Sequence, residues 1–212
     1  MINKTLKNIN TLLFDLDGTL IDSFSVHLEV FKATFNHFGI HLTEENFLSN
    51  YSPNWYKTYE AIGIKKEDWQ KADSIWLKEV EKKTAWLFPG VEHTLKKLYK
   101  NFTLGIVTSG SKIRVDRDLK ANGIKNFFET IVTGDDIKAP KPSPEGIELA
   151  LQNLNKQSDE AVYIGDSSAD LEMANAASVY FIGVRSEFNS LNSNHTDYFI
   201  NSITALPRLI SF

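Results

Sequence analysis

Two aspartates separated by one leucine, Asp15 and Asp17, close the short apolar run Leu12-Leu13-Phe14 and are followed at once by Gly18. Alternation along a strand puts residues i and i+2 on one side, so both acids start out aimed the same way. Carboxylates that close repel, and sharing a site raises one pKa unless positive charge intervenes. A divalent metal, an Arg or Lys, or a proton held between them would supply what is needed. Gly18 suits backbone that turns sharply or lets a ligand come near. Taken alone, the stretch is equally compatible with a strand that ends in a polar turn.

Other chemistry-bearing groups also follow apolar runs. Leu104-Gly105-Ile106-Val107 ends in Thr108-Ser109-Gly110-Ser111, hydroxyls and backbone N–H groups that lead into a helix and could cradle an oxyanion or phosphate. Thr130-Ile131-Val132 is followed by Gly134-Asp135-Asp136, and then by Lys138-Ala139-Pro140-Lys141-Pro142-Ser143-Pro144. Prolines on both sides of Lys141 stiffen its backbone and help to aim one cation. Val162-Tyr163-Ile164 ends in Gly165-Asp166-Ser167-Ser168-Ala169-Asp170. Carboxylates, a hydroxyl and a lysine therefore gather on one edge if these runs are neighbouring parallel strands.

The pattern between them supports that arrangement. From Val91 onward, helical and strand patterns alternate: helices over 91–99, 111–122, 144–154 and 169–176, and strands over 103–107, 130–132, 161–164 and 179–184. A weaker strand at Tyr198–Ile200 and a short helix follow. Repeated αβ units predict a parallel sheet with helices on both faces, a Rossmann-like α/β fold with its ligand at the carboxyl ends of the strands. Residues 23–87 read differently, with no strand pattern. Phe24, Leu28, Phe31, Phe35 and Phe38 recur at helical spacing until Gly39, Thr43 opens a second helix, Ser52-Pro53 a third, and Glu67–Lys83 a fourth. Phe88-Pro89-Gly90 punctuates the end of this aromatic block.

Composition sets the outer bounds. The 212 residues suffice for one sizeable domain with an insert, and the net charge of −4 gives no footprint for nucleic acid. Cysteine is absent, which excludes disulfides, thiol catalysis and cysteine-ligated zinc. The N-terminus is polar (Asn3, Lys4, Lys7, Asn8), and the apolar run after it is too short for a signal or membrane helix. A cytoplasmic protein, monomeric or weakly dimeric, that acts on a small molecule without nucleic acid or membrane is the expectation.

On these residues the chain resembles the haloacid dehalogenase-like hydrolases over nearly its whole length. Asp15-Leu16-Asp17-Gly18-Thr19-Leu20 looks like the first and most specific of that family's motifs, Thr108 the second, Lys141 in Lys-Pro-Ser-Pro the third, and Gly165-Asp166-Ser167-Ser168-Ala169-Asp170 the fourth. The resemblance extends to the phosphoglycolate phosphatase and β-phosphoglucomutase branch, in which a helical cap is inserted after the first motif. It implies an α/β catalytic core at 1–22 and 89–212 and a helical cap at 23–88, acting as a lid with hinges near Ser23 and Phe88-Pro89-Gly90. Ser178 departs from the pattern, because relatives usually carry glycine after the Ala176-Ala177 pair.

The resemblance further implies a magnesium-dependent phosphatase that hydrolyses a small phosphorylated metabolite through an aspartyl-phosphate on Asp15. Asp17 is then general acid and base. Mg2+ is held by Asp15, the backbone carbonyl of Asp17 and Asp166, with Thr108 and Lys141 on the transferring phosphoryl oxygens and Asp170 orienting Lys141 or supporting the metal. Ser109 is the nearest rival of Thr108 for phosphate contact. Asp135 and Asp136 are read as turn residues, and Arg114 and Arg117 as a solvated helix face.

His27, on the first cap helix, is read as a group for proton handling or closure, or as a polar contact on an apolar helix. Trp69 and Trp76 fall on a helical stripe and are read as core, whereas Trp55 and Tyr56 are the aromatic candidates for substrate contact. A sugar-phosphate mutase is the nearest alternative, but Asn46–Trp55 contains none of the arginine such mutases carry. Dehalogenation does without a second aspartate where Asp17 stands. A phosphorylated receiver-like domain would not need the helical insert. A non-catalytic phosphate-binding module is the remaining reading from another class.

Overall fold

In the computed structural model, which describes residues 6, 8–51, 55–186, 191, 193–196 and 198–210, the apolar runs become strands. In chain order these are β1 (Thr11–Phe14), β2 (Ile21–Asp22), β3 (Trp86–Leu87), β4 (Thr103–Val107), β5 (Thr130–Val132), β6 (Ala161–Gly165), β7 (Tyr180–Val184) and β8 (Phe199–Ile200). Six of them form one sheet in the order β5-β4-β1-β6-β7-β8, and every pair in it is parallel. β1 is central: Phe14 pairs with Ile106 on one side and with Ile164 on the other. The strands that end in Asp15, Thr108 and Asp166 are therefore side by side and in register.

β1, β4 and β6 are buried on both faces, which explains their unbroken apolar sequences. On one face Leu13, Val107, Tyr163 and Phe181 pack with Ile147, Ala150 and Leu151 of helix 145–154 and with Met173 and Ala174 of helix 168–176. Alternation turns Leu12, Phe14, Leu104 and Ile106 to the opposite face, where each is fully buried.

The chain divides into two compact units, residues 1–22 with 86–212 and residues 23–85. The second holds α1 (Ser23–His37), α2 (Glu44–Asn50), α3 (Trp55–Ile62) and α4 (Trp69–Val80). Thr43 caps α2 by accepting from the Asn46 N–H. The core of this unit is aromatic: Phe31 lies 5.0 Å from Phe47, 6.1 Å from Tyr59 and 6.0 Å from Trp76, ring centre to ring centre. The first unit adds α5 (Val91–Leu98), α6 (Lys112–Ala121), α7 (Glu145–Leu154), α8 (Ser168–Ala176) and α9 (Leu206–Leu209).

Two local readings change. Trp86–Leu87 is a strand where no strand pattern was visible, because the pairing is two residues long, Ile21 with Leu87 and Asp22 with Trp86. The α4 helix covers Trp69–Val80 rather than 67–83, its first turn being a tight 3-10 turn over Lys66–Asp68. The Ser52-Pro53 start of the third helix, with Asn3, Lys4 and Lys7, lies outside the described residues. Among the described residues no helix is long and apolar enough to cross a membrane.

Candidate active site

The site grows from the turn after β1. Gly18 adopts a left-handed backbone at φ +77°, and a Cβ there would overlap the Asp166 carboxylate, so both conformation and space require glycine. That close approach brings the loop after β1 against the loop after β6. Asp15 is 6% exposed and Asp166 3%, and with Asp170 they each present a carboxylate oxygen within 4.8 Å of the others.

Lys141 enters this acidic set from the Pro140-Lys141-Pro142 segment. Its Nζ donates to Asp15 Oδ1 at 2.6 Å, to Asp170 Oδ1 at 2.7 Å and to the Tyr163 hydroxyl at 2.8 Å. An ammonium has three protons, so these acceptors saturate it. Tyr163 in turn donates to the Val107 carbonyl at 2.8 Å, which ties the lysine to the strand that delivers Thr108. Asp170 is the most heavily engaged carboxylate. Its Oδ2 accepts from the N–H groups of Asp166 and Ser167 and from the Ser167 hydroxyl, and Ser167 Oγ accepts from the Asp170 N–H. This reciprocal cap starts α8 one residue earlier than the apolar pattern indicated.

The charges respond to this arrangement. Burial pushes the Asp15 carboxyl well above the usual carboxylate range; Lys141 opposes the rise, and Asp170, Asp166 and Asp17 add to it. For Asp170 burial also acts upward, but Lys141 and Ser167 outweigh it and hold the group below its ordinary value. Burial disfavours the Lys141 ammonium, yet Asp15 and Asp170 lift it well above the ordinary lysine range, so it stays charged. Burial holds the Tyr163 phenol far above its usual value, and it remains a neutral donor.

The set fits a hard divalent cation. Its donors are all oxygen, and Lys141 brings one positive charge against three buried carboxylates. Asp15 and Asp166 are the better placed ligands, because both oxygens of Asp170 already accept hydrogen bonds. The Asp17 carboxylate is not part of this cluster and faces Arg114 instead.

The Asp17–Arg114 pair corrects the sequence reading of Arg114 as part of a solvated face. Its side chain is 14% exposed. Nη2 donates to Asp17 Oδ2 at 2.5 Å and Nη1 to Oδ1 at 2.9 Å. Nη1 also reaches Asp118 Oδ2 at 3.3 Å, and Arg117 Nε holds the other Asp118 oxygen at 3.0 Å. Burial works against the Arg114 cation, but Asp17 and Asp118 lift its pKa above the usual range. The missed signal was the i, i+4 spacing of Arg114 and Asp118, which puts a cation and an anion on one face of α6.

Thr108 is 2% exposed at the carboxyl end of β4, and its Oγ1 accepts from the Gly110 N–H at 3.2 Å. Ser109 beside it is exposed. Asp135 and Asp136 serve the turn after β5: Asp135 accepts from the Lys112 N–H, while Asp136 accepts from Thr133 and pairs with Lys112. Tyr163 is a site residue that sequence reasoning missed; a tyrosine within an apolar strand run, whose buried hydroxyl must find a partner, was the available sign.

In the helical unit, His27 packs 5.7 Å from Trp76, and Trp55 lies 4.7 Å from Trp76, ring centre to ring centre. Tyr56 stacks on Trp69 at 4.8 Å and donates to Asp73. Trp55 and Tyr56, expected as substrate contacts, are engaged in packing within their own unit, because α3 starts at Trp55 and presents both rings to α4.

Residues 12–184 match the family described as haloacid dehalogenase-like hydrolase. The chain is 32% identical over 209 residues to the pyrophosphatase PpaX of Oceanobacillus iheyensis, covering 96% of this chain and 97% of that protein. It is 36% identical over 180 residues to the protein of the same name from Bacillus pumilus, with 83% of each chain covered. Among solved structures, a haloacid dehalogenase-like family protein from Streptococcus pneumoniae shares the fold with a TM-score of 0.81 at 24% identity, covering 95% of this chain and 98% of that one.

Proposed function

This chain belongs to the haloacid dehalogenase-like hydrolases, and we propose that within that family it is a magnesium-dependent phosphatase acting on a small phosphorylated metabolite. The α/β core carries the chemistry, and the helical unit at 23–85 serves as the cap that selects the substrate. The observation that carries the reading is Lys141 seated on Asp15 and Asp170, beside Asp166, at the carboxyl ends of adjacent parallel strands. These residues stand where an α/β sheet receives its ligand, which supports reading them as nucleophile, cation and metal ligands.

The chemistry divides among these residues as follows. A carboxylate oxygen of Asp15 attacks the phosphorus, and the bond from phosphorus to the leaving oxygen breaks, which leaves an aspartyl-phosphate. Asp17 gives a proton to the leaving oxygen, then accepts one from the water that attacks the phosphoryl group and frees Asp15. Thr108 and Lys141 hold the phosphoryl oxygens, Lys141 with the proton it gives Asp15 in the free protein while Asp170 and Tyr163 keep it oriented, and Ser109 lies on the same loop as Thr108. Asp15, Asp166 and the main-chain carbonyl of Asp17 would hold a magnesium ion, which offsets the charge of carboxylate and phosphoryl oxygens.

Inorganic pyrophosphate is the first substrate to test, because relatives of 32–36% identity bear the name pyrophosphatase. A sugar-phosphate mutase is disfavoured by the lack of arginine in Asn46–Trp55. Phosphate release from pyrophosphate, from a panel of metabolite phosphates and from an aryl phosphate, each with magnesium and with chelator, tests the reading against Asp15→Asn. Magnesium-dependent release that this substitution abolishes supports it. Inertness across the whole panel sinks it.

A further inference from the structure

We infer that Arg114 is the positioning residue for Asp17: it fixes where the acid–base carboxylate points, and it acts on the reaction only through that carboxylate. The inference rests on the phosphatase reading above for the role of Asp17, and on the structure for the rest. Asp17 sits on a loop beyond β1, where nothing in the strand itself dictates its rotamer. Arg114 supplies what the strand does not. Its guanidinium meets both oxygens of Asp17 in a fork, at 2.5 and 2.9 Å, which sets the plane as well as the direction of the carboxylate.

The arginine is itself held. Its side chain is 14% exposed, and Asp118, 1% exposed, pairs with it from one helical turn further along α6. Arg117 neutralises the remaining oxygen of Asp118, so Arg117, Asp118, Arg114 and Asp17 form an alternating chain of charge. Backbone has been cleared for it: a Cβ at Gly110 would overlap Arg114 Nη2. A pair kept for stability alone gains little over apolar side chains of similar size, whereas an alternating row that ends on the proposed acid–base group is what aiming that group requires. The Asp17 side chain is 26% exposed, so the proton it passes to a leaving oxygen or takes from a water travels on the side of the carboxyl away from the fork.

The test separates aiming from folding. Leaving-group release is followed in a single turnover with 4-nitrophenyl phosphate and with phenyl phosphate, which have nearly the same shape but differ in how much the departing oxygen needs a proton. The variants are Arg114→Gln, Arg114→Lys, Asp17→Asn and the double variant Asp17→Asn with Arg114→Gln. Arg114→Gln is expected to slow phenol release about tenfold more than nitrophenol release, with KM within about twofold of the parent. Arg114→Lys, which keeps the charge and loses the fork, is expected to recover only part of this. The double variant should be no slower than Asp17→Asn alone.

Equal losses on both substrates, or none, would overturn the inference, as would a double variant slower than Asp17→Asn, which would mean that Arg114 touches the substrate by itself. A crystal structure of Arg114→Gln decides the matter without turnover. A displaced Asp17 carboxylate supports positioning, and one that keeps its place refutes it. A parent protein that releases phosphate from nothing would sink the phosphatase reading, and the crystallographic arm would still judge the pair.

Discussion

The Tyr163 hydroxyl stands between the Lys141 ammonium and the Val107 carbonyl, 2.8 Å from each, with no exposure to solvent. It accepts from the one and donates to the other, so the lysine is braced from beneath by the sheet itself. Tyr163→Phe removes both bonds, and with them a longer 3.3 Å contact from the hydroxyl to Asp170 Oδ1. It leaves a buried carbonyl without this donor and an ammonium with two acceptors instead of three. The expected cost is about 1–2 kcal/mol of stability, a fall in Tm of roughly 3–6 °C for a chain of this size. If the brace also aims Lys141 at the phosphoryl group, kcat falls by up to about tenfold with KM little changed. Thermal melts and phosphate release on the same preparation check the two parts separately.

Asp15 is the carboxylate that burial penalises most openly, since its pKa is pushed well above the usual range. A raised value means that protonated Asp15 favours the folded state, fully so below the unfolded value of about 3.9. That contribution is lost as pH rises through the raised folded value. Asparagine cannot ionise and keeps it. Asp15→Asn is expected to abolish turnover. It removes the ionisable carboxyl together with the ion pair to Lys141, so its Tm in chelator, relative to the parent's, is expected to fall steadily as pH is lowered from 7.5 toward 5. Melts across that range decide it; a relative Tm that rises in acid would contradict the sign.

Much of this was legible in the chain. β4 and β5 coincide with their apolar runs, because a strand that packs into the core is apolar along its length and polar residues follow at its end. The acids and hydroxyls after β1, β4 and β6 follow from the same cause, since a parallel sheet brings its carboxyl ends to one edge. What could not be read was contact between residues remote in sequence. Arg114 and Asp17 are 97 positions apart and Tyr163 and Lys141 are 22, and no spacing rule connects them. The cap aromatics Trp55 and Tyr56 illustrate the same limit from the other side. Residues near a loop suggested ligand contact, and their packing against Trp76 and Trp69 of α4 was not visible in the sequence.

Ser178 is the departure from glycine that the sequence displayed, and it adopts a left-handed backbone at φ +57° just beyond α8. The αL conformation strains any residue with a Cβ, by about 1–2 kcal/mol, and glycine at this point of a helix end avoids that strain. Ser178 is exposed, so its side chain is not needed for packing. After allowance for the greater freedom of glycine in the unfolded chain, Ser178→Gly is expected to gain about 0.5–1 kcal/mol. Denaturant titration should show a higher midpoint at unchanged slope, with phosphate release unaltered.

Asp166 and Asp170 lie four residues apart in the same acidic set, and their hydrogen bonds predict opposite failures. Asp170 accepts from Lys141, from Ser167 twice and from the Asp166 N–H, so its charge is spent on holding the lysine and the start of α8. Asp166 meets the close approach of Gly18 and, with Asp15, faces the place a cation would take. Asp170→Asn turns an acceptor toward Lys141 into a weaker one and removes the opposite charge beside a buried ammonium, a change worth about 3 kcal/mol or more of stability. Asp166→Asn removes a ligand and leaves those bonds in place. It is expected to raise the magnesium concentration for half-maximal phosphate release by about 10–100-fold, with Tm in chelator held or slightly raised. Magnesium titrations beside melts of the two variants separate the roles: loss of stability in Asp166→Asn with unchanged magnesium dependence would move the metal to Asp170.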